Sequence, residues 1–314
     1  MSVTMSINDI DEMIKGAESL NIEYLNERFK HLSFIASQYA NNDLLSLKST
    51  IEIFFLFNQN IRNDPNASVR KINDKKYEIL IGRKLLLLLD RYSHKIFEDD
   101  LIFSNLKRNE DNKEKIRQIS LLIFYFWMEF VCLHELMHVV RSHMNFKNGS
   151  YTEFNINKNE SVEDSVYFEA DADRYAIEFL ATKLVKEIEN IKVISNEYDD
   201  EIIIKNFIFL MLYLFDLFFV LNGSQKKSNH PTSLERINII FTSLVVAGNL
   251  KGKMTMILLM RKAIHEFMAI NGSKYRIDRI KFFIYTSTLM YRYLKFTKKK
   301  DLDNVQILHN NIWT

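Results

Sequence analysis

The chain is poor in the residues that turn or staple a backbone: one cysteine, two prolines and seven glycines in 314 positions. A single cysteine, Cys132, rules out an internal disulfide and fits a reducing, cytoplasmic setting. Its apolar neighbours mark it as a small buried hydrophobe. So few turn-formers argue against a sandwich or barrel of short strands and favour long helices with few tight corners. Charge of one sign is missing too. The 42 basic and 40 acidic residues leave a net charge of +2, which gives no electrostatic footprint for nucleic acid. The run Lys298–Lys300 is a solvated tail. The opening MSVTMSINDIDEM has no basic start with an apolar stretch behind it, so no secretory signal is expected. Two apolar runs, Ile119–Leu133 and Phe207–Leu221, are each about fifteen residues, short of the roughly 18–20 that span a bilayer. Glu129 and Asp216 interrupt them. They are expected to be buried core helices without a transmembrane span, and shallow membrane association stays open.

What remains is an apolar, helix-rich chain, 47% hydrophobic, ample for one core. Helical spacing covers Asn8–Gln38, Arg83–Asp99, the stretch ending at His143, about Val162–Glu189, Asp200–Leu221, and three helices beyond Thr232. Ser161 with Asp164, and Thr232 with Glu235, form capping boxes that open two of them. A β-branched and aromatic run lies at Ile51–Phe57. Ser68–Ile72 and Lys76–Ile81 flank Asn73-Asp74 in the pattern of a small hairpin. Ser142–Glu160 and Asn222–Asn229 are expected to be loops. The fold class is mostly α with a small β-sheet (α+β): one zincin-like domain with N-terminal helices at 1–50, a catalytic core at 51–246 and C-terminal helices at 247–314.

Within the apolar helix stands FVCLHELMHVVRSH. His134 and His138 are four apart, so both imidazoles face one side of the helix. Zinc takes such nitrogens at about 2.0–2.1 Å. Glu135, beside the first, can reach an attacking water without occupying the metal, as in the helix-borne HExxH motif. His143, five residues past His138, is turned off that face by helical geometry and is expected at the helix end or surface. Arg141 and Met144 stand where a metzincin needs Gly and His.

A third ligand is expected from FEADADRYAIEF. Glu169 and Asp173 are again four apart. Glu169 suits a metal, and Asp173, one turn along, suits the far nitrogen of a ligand histidine. An ordinary acidic helix face, with Asp171 and Glu178 solvated, would explain them if they stood alone. In SNHPTSLERINII, His230 precedes a capped helix and Arg236 lies in its first turns. Either suits an oxyanion or a substrate, although a loop histidine and a surface arginine account for them on their own.

These blocks, in this order, resemble the gluzincin metallopeptidases. They are most similar to the family of CaaX-prenyl proteases and heat-shock membrane peptidases, whose pattern is HExxH, ExxADxxA and a late His-Pro with Arg six residues on. Glu169, Ala172, Asp173 and Ala176, then His230, Pro231 and Arg236, occupy those positions. The resemblance implies a zinc peptidase with ligands His134, His138 and Glu169, and Glu135 as general base. It also implies Asp173 behind a ligand, and His230 with Arg236 near the tetrahedral intermediate. Members of that family carry clear membrane spans, which the apolar runs here do not reach. The chain is thus closer to soluble, minimal gluzincins, with a looser similarity, carried by HExxH, to the phage-exclusion protease Lit and its relatives.

The function expected is hydrolysis of a restricted protein or peptide substrate, with a regulatory partner restraining an intracellular peptidase. Strand Lys76–Ile81 is a candidate edge for holding extended substrate. Two other readings fit the residues: a non-catalytic helical regulatory module with a structural zinc site, and hydrolysis of a non-peptide amide or ester.

Overall fold

A computed structural model of the chain describes residues 52–58, 66–98, 113–141, 143, 150–152, 162–194 and 200–221, with single positions at Arg236, Ile239, Lys262, Glu266 and Lys295. The expected N-terminal helices, His230 with its loop, and most of the C-terminal helices lie outside these residues. The described part is mostly helical with one small sheet, an α+β fold. The chain divides into two compact units, Met5–Asn155 and Ile156–Thr314 with Met1–Thr4.

The first unit holds β1 (Glu52–Asn58), β2 (Ala67–Asn73), β3 (Lys76–Gly82), α1 (Arg83–Glu98), α2 (Lys113–Val140) and β4 (Ser150–Thr152). The sheet order is β1-β3-β2-β4, with β1 parallel to β3 and the other pairs antiparallel. Strict alternation along β3 explains its placement: Tyr77, Ile79 and Ile81 are buried and the residues between them are not. Ala67 and Val69 of β2 lie opposite Ile81 and Ile79, so both strands bury the same face. The hairpin expected from Asn73-Asp74 is present. The Asn73 side-chain oxygen accepts from the Lys75 amide at 2.9 Å, an Asx turn that mimics a backbone turn. A bulge between Lys71 and Asn73 absorbs the spare residue.

Two expectations are corrected here. Lys76–Ile81 is not an edge: β3 is bonded on one side to β1 and on the other to β2, so its amides and carbonyls are engaged by neighbours. Hydrophobic alternation cannot distinguish an inner strand from an outer one, because both bury one face. The polar segment Ser142–Glu160 also contains β4, three residues paired with Ser68–Arg70.

Helix α1 follows β3 without a loop, and its run Leu85–Leu89 shows no face because all five side chains are buried. It packs on α2, where Tyr92 stacks on Trp127 with ring centroids 5.4 Å apart. Both rings are fully buried, and burying each contributes about 1.5–3 kcal/mol. Helix α2 also rests on β2 and β3. The helix runs past the expected apolar stretch, and Arg117–Val140, 24 residues, is long and apolar enough to cross a membrane by length and composition. In its most apolar window, 67% of the residues are buried within the protein. It is the one such helix among the described residues.

The second unit holds α3 (Val162–Ile194) and α4 (Asp200–Leu221). Helix α3 opens where the capping box places it and runs five residues past the expected end. The bounds of α4 are those expected. Lys205 of α4 forms an ion pair with Glu266.

Candidate metal centre

The first unit carries the HExxH motif on the last two turns of α2. Leu133, Leu136 and Met137 are buried and hold this end of the helix in the core. His134, Glu135 and His138 are buried as well. The Nε2 atoms of His134 and His138 lie 3.1 Å apart, with ring centroids at 4.9 Å and planes at 76°. Two nitrogens bound at ~2.0–2.1 Å to a tetrahedral ion stand about 3.3–3.4 Å from each other. The pair is therefore spaced as two ligands of one divalent ion would be. Phe130 lies one turn back, its ring centroid 6.0 Å from that of His134.

Cys132 is buried on the same helix and is a free thiol. Burial, followed by the charges of Glu129 and Glu135, pushes that thiol far above its ordinary range. Burial of this kind disfavours the thiolate, the form a nucleophile or a metal ligand needs.

His143 lies just past the helix end, one of the two places expected, but it is neither at the surface nor turned away from His138. It is fully buried, and its Nδ1 lies 2.9 Å from Nδ1 of His138. The helical offset of five residues does not apply because α2 ends at Val140. The Arg141 amide still closes the last turn onto the Met137 carbonyl at 2.8 Å. His143, just past the helix end, takes a 3₁₀ conformation. The available signal was the change from apolar VV to Arg141-Ser142, which marks a helix end where spacing rules lapse.

In the second unit, Glu169 and Asp173 share a face of α3 and both are buried. Asp173 Oδ2 lies 3.3 Å from Arg236 Nε, with both side chains almost wholly out of solvent. Arg236 is thus not a surface residue. Its guanidinium lies over Phe215 and Phe218 of α4, 4.9 and 5.5 Å from the ring centroids. Asp171 and Glu178 are not solvated either. Glu178 accepts from Arg174 Nε at 2.7 Å, one turn away. The solvated-face account of α3 fails on these burials. His230 lies outside the described residues.

A sequence profile of the peptidase U49 family matches residues 71–252, more than half of the chain. The chain belongs to the peptidase U49 family. This is the Lit-like protease family, so the looser of the two resemblances is the one the comparison supports. The matched span runs from β2 past Arg236 and takes in HExxH and the α3 acids. As a peptidase, the protein acts on protein or peptide substrates. No curated protein and no solved structure matches the chain.

Proposed function

We propose that this peptidase is a zinc-dependent enzyme of gluzincin type, with ligands His134, His138 and Glu169 and general base Glu135. The observation that carries the reading is the 3.1 Å convergence of two buried Nε2 atoms within HExxH. In a core, two imidazoles brought nitrogen to nitrogen can share only one proton, whereas a cation uses both lone pairs. His134, His138 and Glu169 are each buried, and their donor set N, N, O suits zinc.

A divalent ion there would bring the pKa of water towards ~7 and polarise a carbonyl. Glu135, next to the first ligand, takes the proton from the attacking water and delivers it to the leaving amine. Asp173 and Arg236 form a buried pair that holds the acidic face of α3 in register. His230 is assigned to the oxyanion by the resemblance of His230-Pro231 and Arg236 to the late His-Pro and Arg block of the gluzincin pattern. An intracellular peptidase must spare other proteins, so the substrate range is narrow or activity is triggered by a partner.

The test is metal content of the purified chain, followed by a search for new protein N-termini in cells expressing wild type or Glu135→Gln. Zinc is expected in both proteins and new termini only with wild type, since loss of general base catalysis costs about 10²–10⁴-fold. Zinc-loaded protein whose Glu135→Gln variant cuts as well as wild type would refute the mechanism. Absence of zinc from the wild type would refute the metal assignment.

A further inference from the structure

As a metal ligand through Nε2, His138 must keep its ring proton on Nδ1. That nitrogen is the one facing His143 Nδ1 at 2.9 Å, with the two rings at 69° and centroids 5.0 Å apart. At such a distance one nitrogen donates and the other accepts. If His138 donates, His143 accepts through Nδ1 and carries its own proton on Nε2. The two rings then hold opposite tautomers.

We infer that His143 is a positioning residue: it accepts the Nδ1 proton of His138 and so holds the His138 Nε2 lone pair at the ion's place. This rests on the metal reading above. Ligand histidines commonly lean on a carboxylate, a carbonyl or water. An imidazole does the same work without a second negative charge beside Glu135. His143 is at 0% exposure, so water cannot compete for the bond, and a buried bond of this kind fixes ring orientation. Ligand and support come from one continuous stretch of six residues, 138–143.

Four full-length proteins test it: wild type, His134→Ala, His143→Phe and His143→Asn. Each is freed of metal, checked for native circular dichroism and melting, and titrated with zinc against a chromophoric chelator. Wild type is expected to bind zinc, and His134→Ala to lose it. His143→Phe fills the space without an acceptor and is expected to bind about 10–100-fold more weakly. His143→Asn supplies an oxygen acceptor and is expected to recover most of that loss. Long-range ¹⁵N spectra of the zinc-loaded wild type should show His138 protonated on Nδ1 and His143 on Nε2, a readout that survives if His143→Phe does not fold. Wild-type affinity in His143→Phe, or equal losses in both His143 variants, would overturn the inference and leave the metal reading standing, whereas a His138 proton on Nε2 would overturn both. A wild type that binds no zinc would overturn both.

Discussion

Arg236 shows how much one side chain depends on its surroundings. A guanidinium out of water needs a counter-charge, and Asp173 at 3.3 Å supplies it while Phe215 and Phe218 offer their ring faces. Removing one member leaves the other charged and buried. Arg236→Met is therefore expected to destabilise the protein by about 3–5 kcal/mol. The double variant Arg236→Met with Asp173→Leu should cost less than the single one. Urea unfolding of the three proteins checks this, and a single variant as stable as wild type would contradict the pairing. At this scale the sequence was legible for the shared face of His134 and His138, which follows from a four-residue period. It misled for the direction of His143, because burial of a polar residue is decided by what packs over it.

Among the elements, the β2–β3 hairpin carries the clearest local code. Lys71 and Asp74 pair across the turn at 2.7 Å. The hydrogen bond from Lys71, aided by its charge, holds the Asp74 carboxyl below its ordinary range. The same hydrogen bond raises Lys71 above its own, against a small opposing effect of burial. A carboxyl with a lowered folded pKa contributes above its unfolded pKa and loses that contribution as pH falls through the folded value. A lysine with a raised pKa contributes below its unfolded pKa and loses it as pH rises through the folded value. The turn is fully paired only between these limits. An NMR titration should find Asp74 ionising below an ordinary carboxylate, and Lys71→Met should return it upward. An unchanged Asp74 would show the pair to be idle in solution. The start of α3 and both bounds of α4 were legible because caps and apolar periods are local. The inner place of β3 was not, since pairing is set by strands distant in sequence.

For the whole molecule, the question is what an ion would do to stability. A ligand bound by the native state alone adds RT ln(1 + [L]/Kd), about 2.7 kcal/mol at a hundredfold excess over Kd. Zinc is therefore expected to raise the melting temperature, and a chelator to lower it, in wild type but not in His134→Ala. Identical melting of the two proteins with and without zinc would argue against a bound ion. The same scale governs α2. Its 24-residue apolar stretch passes a length-and-composition test for crossing a membrane, yet it serves as the packing core for α1 and the sheet. The apolar run Ile119–Leu133 is shorter because it stops at His134, whereas the helix continues through the HExxH residues to Val140.

By itself the sequence determined the helices of the described residues, the hairpin, the α+β class and the HExxH face, because caps, periodicity and turn chemistry act within a few residues. Tertiary structure alone decided which strand lies inside the sheet, that Arg236 is sealed against Asp173 and two phenylalanines, and that His143 returns to His138. Those outcomes depend on which groups exclude water from one another, and that is a property of packing between segments that no local pattern encodes.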